Sequence, residues 1–278
     1  MTIEALDSLA EVSLTAPTVD LTWETATDWN NAVSQNGVAH ESVSATDHGD
    51  ASTVLMGYDY ESFSDVSNTL LHLWPLQGDS GSTANDIAGS GDGTYNGPTL
   101  GQTGLLNTTA PDFDGTDIVD LPALGDIFDG SQGYTVIGWV NFDSVNTGTR
   151  QNIMCMQENR DLEFTELADG TASLRVWDGS SLYTAPAAVS ANTWTMVGGA
   201  FDWGDGEIRT FVDGTLQNST ASPAPKGQSR GNAIGARGDN NKNLDGRIAG
   251  VWVFDGALTE SQMQTLYNVV ASESSLTT

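Results

Sequence analysis

Aspartate–glycine pairs recur along most of this chain and constrain its fold more than any other feature. The pairs begin at Asp92, Asp114, Asp129, Asp169, Asp178, Asp205, Asp213, Asp245 and Asp255. Asp tolerates, and Gly favours, the left-handed backbone conformations that tight hairpin turns require. Pairs that recur so closely therefore predict many short antiparallel strands joined by turns.

The segments between these pairs alternate between apolar and polar residues, as half-buried strands do. The clearest segments are 134–142, 152–156, 173–177, 195–201, 208–212 and 248–254. One helix is predicted over 259–270, where Thr259 and Gln262 form a capping box ahead of an apolar face. We therefore predict an all-β fold, a two-sheet antiparallel sandwich or jelly roll, with a C-terminal helix.

Short motifs follow one another in a fixed order after residue 68. They are LLHLW from residue 70, FDGTD from 113, YTVIGWV from 134, TWTMV from 193, FVDG from 211 and LDGRI from 244. In this order they resemble the laminin G-like domains of the concanavalin A-like superfamily. The resemblance implies a jelly-roll domain over residues 68–278.

Residues 1–67 differ in character from the rest of the chain. They show little apolar periodicity and are too few to form a robust core of their own. We predict that they form an arm or adaptor for anchoring and oligomerisation. Two stretches, DWNNA from residue 28 and GVAHE from 37, resemble a lead-in found before such domains in haloarchaeal and viral proteins. No conventional signal peptide and no apolar run of membrane-spanning length is expected.

The charge balance is strongly acidic, with 37 Asp and Glu against 9 Lys and Arg and a formal net charge of −28. Nucleic-acid binding needs a basic stripe, and docking on an anionic membrane needs basic clusters, so we expect neither partner. Abundant Asp with only Lys226 and Lys242 resembles proteins of extremely halophilic archaea. At about 1 M salt the Debye length falls to about 3 Å, which screens such a surface.

The resemblance also implies a calcium site at the rim of the sandwich. Relatives often hold one calcium ion with an Asp of the opening loop and acids near the closing strand, which points to Asp86, Asp92 and Asp245. Carboxylates on flexible loops suit Ca²⁺. However, Ala249-Gly250 stands where many relatives carry an acid pair. A calcium site and a simple turn role for these carboxylates both stay open.

Three aromatic residues near predicted loop ends, Trp177, Tyr183 and Trp203, are candidate platforms for carbohydrate. Aromatic rings stack on sugar rings, and Trp offers the largest flat surface. The competing interpretation is burial, which is the commoner fate of Trp in a sandwich. We expect core positions for the Trp residues inside alternating strands, Trp74, Trp139, Trp194 and Trp252.

Catalysis is not expected. Laminarinase-type hydrolases share this jelly roll and place paired carboxylates on one strand face, as in E-x-D-x-E. The nearest match is Asp161, Glu163 and Glu166. Because side chains alternate along a strand, Glu166 points away from the other two. We therefore predict a binding protein, with calcium as the single candidate cofactor.

These features together predict a virion structural protein of a halophilic archaeal virus, assembled in the host cytoplasm. Residues 1–67 would attach to other capsid or tail proteins, and the domain would project as a turret, spike, decoration protein or tail fibre toward host surface glycans. Such proteins are commonly homo-oligomers. Two alternatives stay open: a cellular glycan-binding adhesion module of a halophilic archaeon, and a purely structural decoration protein that binds no sugar.

Overall fold

A computed structural model describes residues 70–77, 79–105, 108–124, 133–156, 162–226 and 231–276. These residues contain seventeen β-strands and one helix, joined by turns and loops. The arm predicted over 1–67 lies outside these residues. In chain order the elements are β1 (Leu70–Trp74), β2 (Thr83–Ala84), β3 (Gly93–Asn96), β4 (Thr99–Thr103), β5 (Thr109–Asp114), β6 (Ile118–Leu121), β7 (Tyr134–Phe142), β8 (Gln151–Met156), β9 (Leu162–Glu166), β10 (Thr171–Trp177), β11 (Leu182–Thr184), β12 (Ala187–Ala188), β13 (Thr195–Asp202), β14 (Glu207–Val212), β15 (Thr215–Ala221), β16 (Asn232–Ile234), β17 (Asp245–Asp255) and α1 (Glu260–Leu276).

The strands form two antiparallel sheets. The first sheet has the order β15-β14-β13-β7-β17-β5-β4, and β1 also pairs with β17. The second has the order β11-β10-β9-β8-β16-β6-β3-β2, and β12 also pairs with β10. The six segments predicted from alternation fall within β7, β8, β10, β13, β14 and β17. The predicted all-β, two-sheet jelly roll is confirmed.

Both faces of the first sheet are covered, which explains why every residue of β7 is buried. Along this strand Val136 and Val140 join the interior cluster between the sheets. Ile137 and Trp139 belong instead to a second cluster that includes residues of α1. Successive side chains of a strand point to opposite faces, so one strand can serve two apolar layers.

The capping box predicted from sequence is present at the start of α1. Gln262 donates its backbone amide to Thr259 Oγ1 at 3.3 Å, and Thr259 donates its amide to Gln262 Oε1 at 2.8 Å. Met263 is fully buried, and Tyr267 stacks on Trp139 with ring centroids 5.9 Å apart. The helix runs to Leu276, beyond the predicted end at residue 270. No helix in the described part of the chain has the length and apolar character needed to cross a bilayer.

Strand β17 lies at the centre of the first sheet and pairs with three other strands. One edge pairs with β7 along most of its length. The other edge pairs first with β5 and then with β1. The first strand of the domain and its last strand are therefore neighbours, and β17 links the two ends of the jelly roll.

A β-bulge divides β17 between these two partners. The register against β7 shifts between Ile248 and Val251, and Gly250 has a φ of +139°. The Ala249 carbonyl oxygen accepts a hydrogen bond of 2.8 Å from Gln77 Nε2, which attaches the segment after β1 to the bulge. Extra residues in a strand bend it and interrupt its ladder. Ala249-Gly250 thus has a backbone role at the point where the partner strand changes.

One Asp-Gly pair that was expected in a turn lies inside a strand. Asp245 and Gly246 begin β17, with Gly246 at a φ of +140°. A Cβ at Gly246 would lie 2.3 Å from the carbonyl oxygen of Asn141 in β7. Glycine is required here by the close approach of a neighbouring strand, which no local turn pattern reveals.

The loop after β1 is organised around the carboxylate of Asp86, whose side chain is fully buried. Its oxygens accept hydrogen bonds from His72 Nδ1 and from the backbone amides of Leu73, Ala88, Gly89 and Gly91. Burial raises the pKa of Asp86, but the bond from His72 and those from the backbone amides outweigh burial and lower it from 3.8 to about 2. The loop is therefore held by an ionised carboxylate.

Replacement of Gly246 by alanine should destabilise the domain by about 3 kcal/mol or more, because the new Cβ meets β7 as well as adopting a disfavoured φ. Gly256 is the matched control, since it also follows an Asp of β17, has a φ of +112° and has open space around its Cβ position. Gly256→Ala should cost about 1–2 kcal/mol. Denaturant unfolding measures both, and equal costs would contradict the close-approach explanation.

Replacement of Asp86 by asparagine should lower the free energy of unfolding by about 2 kcal/mol at neutral pH, because the ionised form is the one stabilised. A folded pKa below the unfolded value gives stability above about pH 4 that is lost as pH falls toward 2. The difference between wild type and Asp86→Asn should shrink over that window in pH-dependent denaturant unfolding.

Asp205→Asn is the matched control for net charge, since its carboxylate is 67% exposed and should contribute about 1 kcal/mol or less. A difference at Asp86 that stays constant down to pH 2 would contradict the assignment of a stabilising charge. A difference that depends on added calcium would assign Asp86 to a metal site instead.

Candidate functional site

The outward-facing residues of the second sheet bring charged and aromatic side chains together. In β10, Leu174 and Val176 join the interior cluster, so the alternate residues Arg175 and Trp177 point outward. Arg175 lies opposite Glu163 of β9. We call the surface formed by these outward residues the outer face of the second sheet.

Glu163 lies buried at the centre of the outer face, with 3% of its side chain exposed. Arg150 Nη1 and Arg175 Nη1 both donate to Glu163 Oε2. Arg237 also lies within electrostatic reach: hydrogen bonds to Asp239 chiefly raise the pKa of its guanidinium, and Glu163 adds a smaller increase. A buried carboxylate is tolerable when it is paired and hydrogen-bonded. Glu163 meets that condition through its two guanidinium partners.

Trp177 ends β10 on the outer face and is half-buried. Its cross-strand neighbour in β11 is Leu182, which is 52% exposed. The backbone amide of Lys226 donates to the Trp177 carbonyl oxygen at 2.8 Å. A Cβ placed on Gly179 would lie 3.2 Å from Lys226 Nζ, so the ammonium lies over the turn that follows Trp177. Lys226 forms no ion pair with a residue in the described ranges.

Tyr183 faces the interior of the sandwich. It lies opposite Val176 in register and packs against the interior cluster. Its hydroxyl donates to Asp178 Oδ2 at 3.1 Å. Backbone hydrogen bonds, led by that of Ser181, lower the pKa of Asp178 to about 2, and the bond to Asp178 raises the pKa of Tyr183. Tyr183 therefore supports the turn beside Trp177 rather than adding a second ring to the outer face.

Trp203 lies in the β13–β14 hairpin of the first sheet. Its ring meets Phe201 edge-to-face with centroids 5.1 Å apart, and it packs against the interior cluster. The three aromatic residues predicted for carbohydrate thus occupy different positions. Trp177 faces outward on the second sheet, Tyr183 faces inward from the same sheet, and Trp203 packs inward from the first sheet.

The three carboxylates predicted for calcium lie in two places. Asp86 and Asp92 belong to the loop after β1, where Asp92 Oδ1 accepts the backbone amide of Asp86 at 2.8 Å. Asp245 begins β17 opposite Asp114, and Ser144 Oγ donates to it at 3.3 Å. Across the described ranges, no group of three or more His, Cys, Asp or Glu is arranged to hold a metal ion. Calcium binding by these residues stays a prediction.

Glu163 and Glu166, two of the three carboxylates considered for hydrolysis, do not face one site. Glu163 points to the outer face, whereas Glu166, three positions along β9, points to the opposite face and is fully buried. Glu166 Oε1 accepts the backbone amide of Gly170 at 2.8 Å. Asp161 lies outside the described residues. Absence of enzymatic activity stays a prediction.

Sequence reasoning did not identify the basic residues of the outer face, although two signals point to them. Residues 214–238 contain no Asp or Glu in a chain of net charge −28, and they include Lys226 and Arg237. Arg175 and Trp177 are also two positions apart in a predicted strand, which places them on one face. The pairing with Glu163 needed the register of β9 against β10.

Several solved structures share this fold. The binding domain of Paraclostridial Mosquitocidal Protein 1 matches with a TM-score of 0.55 and 14% identity, covering 72% of this chain and 52% of that chain. Botulinum neurotoxin type C matches with a TM-score of 0.54 and 9% identity, covering 75% and 53%. Domain 4 of AbnA, a GH43 extracellular arabinanase from Geobacillus stearothermophilus, matches with a TM-score of 0.52 and 22% identity, covering 71% and 98%. At these identities the likeness establishes the fold alone.

The chain spans about half the length of the first of these structures. Comparison with curated proteins finds no match. A family profile, Laminin_G_3, matches residues 113–264, which is more than half of the chain. The chain therefore belongs to the concanavalin A-like lectin/glucanases superfamily and carries a lectin-like jelly-roll domain, in agreement with the resemblance seen in its motifs.

Proposed function

We propose that this domain binds a glycan at the outer face of its second sheet, around Trp177. The position of Trp177 carries the proposal, because its ring points outward at the end of β10, two residues from Arg175. An indole ring offers a flat apolar surface for a sugar ring, and nearby polar groups can bond the hydroxyls. Membership of a superfamily described by its lectins supports the same use.

Two of the similar structures concern saccharide recognition. The AbnA domain is solved in complex with arabinotriose, and cell entry of botulinum neurotoxin type C depends upon interaction with two ganglioside molecules. Arabinotriose and ganglioside are ligands of the AbnA domain and of the neurotoxin. They support glycan binding here as a use that this fold accommodates, while the residues that bind must come from this chain.

The proposed activity is binding without catalysis. Among the carboxylates considered for hydrolysis, Glu163 points to the outer face. Arg150 and Arg175 both form ion pairs with it. A carboxylate bound to two guanidinium groups is a poor general acid, because both stabilise its ionised form. Glu166 faces away from Glu163, so these two carboxylates cannot act together on one face.

We also propose that the protein is a virion component of a halophilic archaeal virus, mounted through residues 1–67. The net charge of −28, and the similarity of residues 28–41 to lead-ins of haloarchaeal and viral proteins, support this placement. A homo-oligomer would add avidity to weak contacts with host surface glycans. A cellular adhesin of a halophilic archaeon, and a decoration protein without sugar binding, are the competing proposals.

Replacement of Trp177 by alanine should weaken glycan binding about tenfold or more, because the stacking surface is lost. The ligand is first identified on a glycan array in about 1 M NaCl and then titrated by calorimetry. Ile87→Ala is the control, since it removes an exposed apolar side chain at the opposite edge of the domain from β11 and should leave affinity unchanged. Wild-type affinity in the Trp177→Ala variant, with its fold intact by circular dichroism, would reject this site.

Mass spectrometry of purified halophile virus particles tests whether the protein is a virion component. Detection of the chain in the particle is the expected result, and its recovery from the cell envelope instead would favour the adhesin. Antibody against the domain should also block adsorption of particles to host cells. Unchanged adsorption of particles that carry Trp177→Ala would favour the decoration protein.

A further inference from the structure

An exposed leucine lies beside Trp177 on the outer face. Leu182 of β11 is directly opposite Trp177 of β10 in the strand register, and 52% of it is accessible. Residues that lie opposite each other in an antiparallel pair point to the same face, with their Cβ atoms about 4.5–5.5 Å apart. Because β11 is the edge strand of the second sheet, Leu182 extends the outward surface of Trp177 toward that edge.

The exposure of Leu182 differs in kind from that of the other exposed leucine in the described ranges. Leu216 lies opposite Phe211, a buried ring of the cluster that includes residues of α1. It therefore covers an aromatic side chain that belongs to the core of the domain. Leu182 lies opposite an outward-facing ring that is itself only half-buried. Trp177 and Leu182 thus form an accessible apolar pair on the surface of an acidic protein.

The polar groups of the turn between these two residues bond to one another. Asp178 Oδ1 accepts the backbone amides of Ser180 and Ser181, both at 2.7 Å, and the Ser180 hydroxyl at 2.9 Å. Its other oxygen accepts the Tyr183 hydroxyl at 3.1 Å. The carboxylate therefore serves to hold the turn, and the side chain that β11 presents next to Trp177 is that of Leu182.

The polar neighbours of Trp177 lie in other directions. Along β10, Arg175 comes two residues before Trp177, with Thr184 opposite it. Beyond Trp177, Lys226 lies over the turn that follows. These side chains offer partners to the hydroxyl groups of a sugar ring stacked on Trp177. Across the sheet the neighbour is Leu182, which offers no hydrogen-bond partner.

We infer that the glycan bound at Trp177 presents a methyl group to Leu182, as a deoxy or an O-methylated sugar does. This inference rests on the proposed glycan-binding function and specifies its ligand. Burial of one methyl group against an apolar side chain favours binding by about fourfold. A hydroxyl group in the same place would lose bound water and gain no partner from Leu182. Leu182 is therefore a specificity-determining residue, and Trp177 is the main contact.

Support of the β10–β11 pairing alone explains less of this arrangement. A cross-strand contact contributes modestly to strand pairing, and residues such as Thr or Val favour strands at least as well as Leu. About half of the Leu182 surface stays exposed, so that part adds nothing to the pairing. A ligand contact uses the exposed part and accounts for its position beside Trp177.

The test uses the full chain in about 1 M NaCl on an array of matched glycan pairs. In each pair one sugar has a methyl group where its counterpart has a hydroxymethyl or hydroxyl group. One set compares 6-deoxyhexoses with the parent hexoses, and the other compares O-methyl ethers with free hydroxyls. The best-bound pair is then titrated by calorimetry, and the methyl-bearing form should bind about fourfold tighter or more.

Leu182→Ser should abolish this preference, so that the two members of the pair bind within about twofold of each other. Leu182→Met keeps an apolar side chain of similar volume and should retain the preference. Leu216→Ser is the matched control, since it changes an exposed leucine of the first sheet and should also retain it. Thermal unfolding shows that each variant is folded, as expected for substitutions of exposed side chains.

Each outcome decides one of the two proposals. Equal affinity within every bound pair, or an unchanged preference in folded Leu182→Ser, overturns the methyl contact while leaving glycan binding intact. A lower unfolding temperature of Leu182→Ser with the preference retained would assign Leu182 to strand pairing alone. Absence of binding to every glycan on the array overturns glycan binding itself. The set with the larger preference distinguishes the two sources of the methyl group, deoxy and O-methylated sugars.

Discussion

The pairing of β17 with three neighbours is the constraint on which the rest of the domain depends. A strand edge offers each residue one set of ladder bonds, so β5 and β1 must share that edge in succession. The bulge at Ala249 and Gly250 separates their two registers. Because α1 follows β17 at once, the path of this strand also decides where the helix covers the first sheet. The interior cluster is built against that platform.

Two buried carboxylates, those of Asp86 and Glu163, are stabilised by neighbouring groups of the protein. Backbone amides and His72 surround the carboxylate of Asp86, and arginines surround that of Glu163. Both arrangements offset a desolvation cost that an isolated carboxylate could not bear. Their consequences differ. The amides around Asp86 shape a loop, whereas the arginines at Glu163 join neighbouring strands, because Arg175 of β10 and Arg150, which precedes β8, both bond to this carboxylate of β9.

Local patterns predicted the elements that have a strong local cause. Alternation identified β7 and β17, and the capping box marked the start of α1, because burial of one face and capping act within a few residues. Strand β15 was missed, since it is a largely exposed edge strand whose polar residues show no alternation. The prediction of a turn at Asp245-Gly246 was wrong, because this glycine is required by the close approach of the β7 backbone. Local patterns carry no information about such a neighbour.

By itself the sequence determined an all-β sandwich, its family, an acidic surface and Trp177 as a candidate contact for sugar. Only the tertiary structure decided which aromatic ring faces outward and which charges meet. Tyr183 and Trp177 lie in paired strands, yet register turns one inward and the other outward. Arg150, Glu163 and Arg175 come from three separate strand regions and meet only when β8, β9 and β10 align. The physical reason is that side-chain direction alternates with each residue, so which residues share a face depends on strand register, which is set by long-range pairing.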